Sequence, residues 1–300
     1  MDAIKVLVPL DGSRTAEHSL VYIDALKRLG ECEVELLSVA DDAEDFHGRA
    51  SAEAIEREAN LLSTYLREVG HDIKGHLGLD VALKVVRGNP ARCVAEEIEA
   101  FKPDVLVIAT HGRTGVSRWR LGSVADKVIR GSTCTTLVVG PGAHADEVWI
   151  DAGIEEPFKQ ILVPLDGSEL AETALPMAER YARCFGSTLH IVRVVGIPTY
   201  TDDGLSGASY VPDLLSSLEE AAAQHLTQVS ARLPEDVHAT SSVLTGEAVS
   251  QLESYLKAHA IDLIVMTTHG RGGFSRTALG SVTDRLLAEG TAPVLVVRAG

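Results

Sequence analysis

The chain says the same thing twice. Val6-Leu-Val-Pro-Leu-Asp-Gly-Ser13 returns as Ile161-Leu-Val-Pro-Leu-Asp-Gly-Ser168. Thr110-His-Gly-Arg-Thr-Gly-Val-Ser-Arg118 returns as Thr268-His-Gly-Arg-Gly-Gly-Phe-Ser-Arg276, and Leu121-Gly-Ser-Val-Ala-Asp126 as Leu279-Gly-Ser-Val-Thr-Asp284. The separation is 155 residues for the first block (6 to 161) and 158 for the second (110 to 268), so order and spacing are held. Two copies of one domain explain this economically, and 300 residues suit two domains of ordinary size. The expected boundaries are a first domain over 1–142, a linker over 143–157 and a second domain over 158–300. The seam between Pro141 and Pro157 carries Gly, Pro and acidic residues without periodicity.

Within the first copy, short apolar runs alternate with helical patterns. Strands are expected at residues 4–9, 34–39, 81–86, 104–109 and 135–139. Ser13 reads as an N-cap for one helix running to Leu29, where Gly30 stops it. Further helices are expected over 50–69, from Pro90 after Gly88-Asn89, and over 123–130. The second copy reads alike, with strands near Gln160, Thr188, His238, Asp262 and Pro293. Aromatic residues make up only 4% of the chain, so Val, Leu, Ile and Ala must fill the cores, as in strands covered on both faces. The expected fold is α/β: two tandem doubly wound, five-stranded parallel-sheet domains of strand order 3-2-1-4-5. In that order the topological switch lies between strands one and four, and ligands bind beyond their carboxyl ends.

The most repeated segments sit at those two strand ends. Pro9-Leu10-Asp11 closes strand one, and Ala109-Thr110-His111-Gly112 closes strand four. Nine residues separate Gly112 from Gly122-Ser123, and nine separate Gly270 from Gly280-Ser281. Glycines let backbone approach a ligand, and a helix opening at Ser123 would offer N–H groups and a positive dipole end to phosphate oxygens. The net charge of −16 excludes a nucleic-acid surface, since no basic stripe interrupts it. It also means that an anionic ligand needs local help, from amides or from a few placed cations such as Arg113, Arg118, Arg271 and Arg276.

These residues resemble the universal stress protein family. Its ATP-binding members carry Gly-x-x-Gly, nine residues, then Gly-Ser/Thr, with an Asp just after strand one. The resemblance spans both copies and implies an adenine nucleotide alpha hydrolase-like fold and a stress-response module that holds ATP or another adenine nucleotide in each copy, with Mg²⁺ or Mn²⁺ on the phosphates. It places Asp11 and Asp166 on the ribose hydroxyls or adenine edge, with Pro9, Leu10, Pro164 and Leu165 beside them. Val39 and Val194 contact adenine. His111-Gly112-Arg113 and His269-Gly270-Arg271 meet ribose and phosphates. Gly122-Ser123-Val124 and Gly280-Ser281-Val282 cradle the triphosphate, and Gly88 and Gly246 line the same crevice. One departure stands out: the motif's first glycine is Ala109 in copy one and Thr267 in copy two. Alanine adds a methyl; threonine either crowds the nucleotide or is accommodated by a slight rearrangement.

Other readings weigh against that one. Asp11 alone would serve as a turn or capping residue. His111 and His269 have no second ligand at metal spacing nearby, and the acidic run 41–45 reads as a solvated loop. Residues 200–212 read as a mobile connection near the second mouth. There is no Walker sequence and no nucleophile elbow. A slow ATPase, with Asp11 or His111 positioning water, is the enzymatic alternative, and a partner-binding protein with one or no occupied crevice is the structural one. The resemblance also implies that strands 136–139 and 294–297 pair antiparallel as an intramolecular pseudo-dimer, with a homodimer of chains left open. No apolar run approaches the ~20 residues of a membrane span. The four cysteines form no CxxC pair, so reduced thiols and a cytoplasmic location, without a signal peptide, are expected.

Overall fold

The computed structural model describes residues 3–42, 44–45, 48–49, 51–110, 121–140, 157–197, 199–202, 206–210, 212–267 and 279–298. The chain divides into two compact units, Met1–Glu155 with Leu287–Arg298, and Glu156–Leu286 with the final two residues.

In unit 1 the first strand, β1 (Ile4–Pro9), leads through Ser13 into helix α1 (Arg14–Glu17). The single helix expected to Leu29 is broken: a 3-10 turn over His18–Leu20 separates α1 from α2 (Val21–Leu29). Ser19 is fully buried there and its hydroxyl donates to the Ala16 carbonyl at 2.6 Å, a bond that competes with the regular helical ladder. Strand β2 (Cys32–Ala40) follows, then α3 (Ala52–Leu77), β3 (Val81–Arg87), α4 (Pro90–Phe101), β4 (Val105–Ala109), α5 (Ser123–Gly131) and β5 (Thr135–Val139). Helix α3 outruns the expected end at 69. Its exposed face keeps polar helix formers, and Gly78 at φ +62° closes it with an amide bond to Lys74.

The strands stand in the order β3-β2-β1-β4-β5, all parallel, which is the expected 3-2-1-4-5. Val6, Leu7, Val8, Leu36, Leu37, Leu106 and Val107 are completely buried, as strands covered on both faces require. Edge strand β3 is only partly covered.

Unit 2 opens on β6 (Gln160–Leu165) and continues through α6 (Glu169–Glu172), α7 (Leu175–Phe185), β7 (Thr188–Val195), α8 (Pro212–Arg232), β8 (His238–Thr245), α9 (Ala248–Ala258), β9 (Leu263–Thr267) and α10 (Ser281–Glu289). Its parallel strands run β8-β7-β6-β9. The stretch read as a mobile connection contains a hairpin, Thr199–Asp202 against Ser206–Tyr210, with Thr199 opposite Tyr210.

The last strand of the chain, β10 (Val294–Val297), belongs with unit 1. It lies antiparallel to β5, with Val294 opposite Val138, Leu295 opposite Leu137 and Val296 opposite Thr136. This is the pairing expected from the tandem repeat, and it covers the edge that β5 would otherwise expose. Two further contacts fix it. The Arg298 guanidinium donates to the Ile129 carbonyl near the carboxyl end of α5, where a cation suits the helix dipole. Gly140 meets Gly290 backbone to backbone, so closely that a side chain at residue 140 has no room.

One buried carboxyl has a measurable consequence. Asp262, just before β9, accepts from the backbone amides of Lys159 (2.8 Å) and Gln160 (3.1 Å). Burial outweighs those bonds and pushes its carboxyl from 3.8 up to about 6. A carboxyl raised in the fold contributes stability that is complete below its unfolded pKa and lost as pH rises through about 6. After allowance for residual exposure this is on the order of 1 to 2 kcal/mol. In urea unfolding, the stability difference between the parent chain and Asp262→Asn is expected to change by that amount between pH 4 and pH 7; parallel pH profiles would overturn the raised value.

Candidate functional site

The carboxyl ends of β2, β1 and β4 lie side by side in unit 1, with Pro9 opposite Leu37 and Leu7 opposite Leu106. The chain leaves β1 with Leu10 buried, its amide bonded to the Leu37 carbonyl at 2.8 Å, and its own carbonyl accepting from the Ser38 hydroxyl at 2.7 Å. Asp11 then turns the chain. Its Oδ1 accepts from the Ser13 amide at 3.0 Å and the Ser13 hydroxyl at 2.6 Å, and Ser13 Oγ in turn accepts from Ala16 N at 3.1 Å. Gly12 sits between them at φ +79°, a conformation that side chains rarely adopt. The turn reading of Asp11 is borne out: one oxygen holds the turn at the end of the strand.

Unit 2 repeats the device. Asp166 Oδ1 accepts from the Ser168 amide at 2.9 Å and its hydroxyl at 2.6 Å, with Gly167 at φ +86°. Pro9 and Pro164 occupy matching places at the ends of β1 and β6, and Leu165, like Leu10, is buried.

On the other side of the crevice, the Thr110 amide donates to the Val139 carbonyl at 2.9 Å, and the Gly122 amide donates to the Thr110 carbonyl at 2.7 Å. The second bond pins the amino end of α5 against the carboxyl end of β4. Helices α1, α3, α4, α6 and α9 each begin with a side chain that accepts from their first turn. At α5 the capping residue is Gly122, and no side chain among the described residues caps the turn. Ser123 follows, and Val124 is exposed. Helices α2 and α7 likewise lack a side-chain cap; at α5 the first amides, not taken by a described side chain, lie at the carboxyl end of β4. In unit 2, Gly280 leads into Ser281 and Val282 of α10, and the Thr283 hydroxyl donates to the Thr267 carbonyl at 3.4 Å.

The outer wall is set by β3 and β8. The Gly88 amide bonds the Ala40 carbonyl at 3.0 Å and the Gly246 amide bonds Val195 at 2.9 Å, each with φ +141°. A Cβ at Gly88 would lie 2.9 Å from Cys93 Sγ, and one at Gly246 would lie 2.9 Å from Gln251 Nε2. What calls for glycine at both places is the φ of +141°, since the atoms behind them are the movable ends of side chains. Val39 and Val194, at the ends of β2 and β7, are half-buried. Ala109 and Thr267 close β4 and β9 with their side chains buried.

Pro9, Asp11, Val39, Gly88, Ala109 and the α5 amino end thus converge at one sheet edge, and their counterparts do so in unit 2. His111, Gly112, Arg113, His269, Gly270 and Arg271 lie outside the described residues. Among the described residues no three His, Cys, Asp or Glu come together as a metal site. No described helix is long and apolar enough to cross a membrane.

The model of the universal stress protein family matches residues 4–140 and again 157–298. The chain belongs to the universal stress protein family. Its two matches are the two repeats, so it is a tandem member. A universal stress protein of Mycobacterium tuberculosis, Rv2005c, is 28% identical over 244 residues, covering 80% of this chain and 75% of the relative. The single-repeat universal stress protein MJ0577 of Methanocaldococcus jannaschii is 34% identical over 152 residues, covering 45% of this chain and 93% of its own. In fold, the crystal structure of a universal stress protein from Archaeoglobus fulgidus superposes with a TM-score of 0.72 at 20% identity, with all of both chains covered.

The sequence analysis did not single out one charged residue beside the second Asp-Gly-Ser turn of this universal stress protein. Arg193, on β7, packs its guanidinium against Gly167, so that a Cβ there would lie 2.7 Å from Cζ and Nη2. The signal was available: the register of the repeat sets Arg193 where copy one has Ser38.

Proposed function

We propose that each unit holds one adenine nucleotide at the carboxyl edge of its sheet, and that the protein is a nucleotide-dependent regulatory module of the stress response rather than a catalyst. The observation that carries this is the pairing of the Asp-Gly-Ser turn at the end of β1 with an amino end of α5 that no described side chain caps, the turn recurring unchanged in unit 2. In this reading the carboxylate oxygens of Asp11 and Asp166 accept from ribose hydroxyls, and Val39 and Val194 flank the base. The amides at Gly122-Ser123-Val124 and Gly280-Ser281-Val282 meet the phosphates, joined by the His-Gly-Arg segments 111–113 and 269–271. Pro9, Leu10, Pro164 and Leu165 shape the floor, with Gly88 and Gly246 opposite and Ala109 and Thr267 at the ends of the fourth strands. A divalent ion, Mg²⁺ or Mn²⁺, would accompany the phosphates.

The test is to purify the chain without added nucleotide, denature it, and count the released adenine nucleotide. Between one and two per chain, as ATP, is the expected result, and hydrolysis of added Mg-ATP slow enough for bound ATP to survive purification separates a switch from an enzyme. No nucleotide released, and none bound on addition of Mg-ATP, would leave only a partner-binding role. Where the count is near one, Thr267→Gly is expected to raise it towards two, by removing the branched side chain at the end of β9. An unchanged count would assign the vacancy to another cause.

A further inference from the structure

At the amino end of the unit 2 sheet, away from the crevice, three rings are packed together. His190, the third residue of β7, is 7% exposed. Its Nε2 lies 2.7 Å from Gln160 Oε1 on β6. Its Nδ1 lies 3.0 Å from the Tyr255 hydroxyl on α9 and 3.4 Å from the Thr240 hydroxyl on β8. An amide oxygen only accepts, so Nε2 carries the proton and Nδ1 is left to accept from a hydroxyl. His259, the residue that ends α9, stacks on Tyr255 with ring centres 3.9 Å apart and stands 5.3 Å from His190. One neutral imidazole thus ties the last turns of α9 to β6, β7 and β8.

The same place in unit 1 is built from charges. Val6 is opposite Val34 and Ile161 opposite Leu189, so the repeat sets Glu35 where unit 2 has His190. Counting on from Gly88 and Gly246 sets Glu97 where unit 2 has Tyr255, and Phe101 where it has His259. Lys84 pairs with Glu97, and the Lys5 ammonium lies over the Phe101 ring. At the positions of those two lysines unit 2 has Ser242 and Gln160.

We propose that the His190 ring cluster is an acid-sensitive latch: neutral, it holds the carboxyl end of α9 against the sheet, and protonation of the ring loosens α9, so that unit 2 yields to acid at a place where unit 1 does not. Towards the imidazole, β6 presents Gln160, β8 presents Thr240, and α9 presents Tyr255 and His259. Among the described residues the one group whose charge bears on the ring is His259, which repels a second cation. No carboxylate is there to balance the added proton. Burial, then His259, hold the imidazole below the ordinary histidine value of 6.5. The unfolded chain takes the proton more readily, so the stability that His190 contributes is present above 6.5 and lost as pH falls. At the matching place in unit 1 the sign is reversed. Burial, then the charge of Glu97, raise the Glu35 carboxyl, and a raised carboxyl favours the fold in acid.

Hydrogen exchange of the full chain, read by mass spectrometry and corrected for the intrinsic pH dependence of amides, follows the latch helix by helix. Peptides of α9 are expected to exchange about 3- to 10-fold faster at pH 5 than at pH 7.5, while those of α4 do not. Asp262, which binds the Gln160 amide, takes up its proton over the same range and works in the opposite direction. The decisive quantity is therefore the difference between the parent chain and His190→Gln, which keeps Asp262 and should lose the acid acceleration of α9. Exchange in α9 that is indifferent to pH, or that accelerates equally in His190→Gln, would overturn the proposal. Should His190→Gln not fold, NMR of the imidazole nitrogens in the parent chain decides. His190 is expected as the Nε2–H tautomer at pH 7.5, titrating below 6.5 and in step with the loosening of α9. A ring already charged at pH 7.5, or α9 exchange that does not follow its titration, would equally sink the latch.

Discussion

Gly140→Ala is expected to destabilise the protein by more than about 3 kcal/mol, far beyond what a single methyl normally costs. Gly140 follows β5 directly, and a Cβ on it would lie 2.4 Å from Gly290 Cα, 2.7 Å from the Gly290 carbonyl oxygen and 2.9 Å from its carbon. All three atoms are backbone, so no rotamer change relieves the clash. Relief requires the segment that leads into β10 to move away, which breaks the antiparallel register of Val294, Leu295 and Val296 with Val138, Leu137 and Thr136. Those residues are almost wholly buried, so the loss includes apolar burial as well as ladder bonds. Gly131→Ala supplies the contrast. It ends α5 with nothing within 4 Å of the added methyl, and should be neutral or slightly stabilising. Differential scanning calorimetry of both variants decides the matter; similar melting temperatures would mean that the close approach is not a real constraint.

Lys84→Met should cost about 2 kcal/mol near pH 8 and much less near pH 5. Glu97 on α4 is buried and pairs with the Lys84 ammonium of β3. Glu35 on β2 faces the same carboxylate, and its Oε1 is buried without a hydrogen-bond partner among the described residues. Burial, then the charge of Glu97, already push the Glu35 carboxyl above its usual range, while Lys84 pulls it down. Removing Lys84 leaves two close carboxylates with no cation. Breaking a fully buried pair costs about 3–5 kcal/mol, and the lower figure allows for a Lys84 side chain that is 40% exposed. A raised carboxyl favours folding below its pKa and loses that contribution as pH rises through it, so the deficit must grow with pH. Urea unfolding from pH 5 to pH 8 measures this. A deficit independent of pH would assign the effect to packing of the lysine stem instead.

The strands were legible in advance because apolar runs of strand length alternate with glycine, proline or serine punctuation, and the order was expected because doubly wound five-stranded domains commonly take it. The Asp-Gly-Ser turns and the Gly-Ser helix starts were legible because their chemistry is local. Ser13 caps the turn three residues on, and Asp11 reaches two residues on. What depends on distant neighbours was not. The break at His18–Leu20 follows from burial of Ser19, and the hairpin at 199–210 from pairing between two polar stretches. The Lys84, Glu35 and Glu97 cluster joins residues up to 62 positions apart in the sequence, a distance over which no pattern runs.

By itself, then, the sequence determined that this is a tandem protein, that each repeat is a doubly wound sheet, and which strand ends carry the repeated Asp-Gly-Ser and Gly-Ser segments. These follow from repetition, period and turn chemistry, all properties of nearby residues. Only the tertiary structure decided that Gly140 and Gly290 meet, and that a guanidinium stands beside one Asp-Gly-Ser turn and a hydroxyl beside the other. Those are contacts between residues far apart in the chain, and burial and steric exclusion select among them only once the sheets have formed.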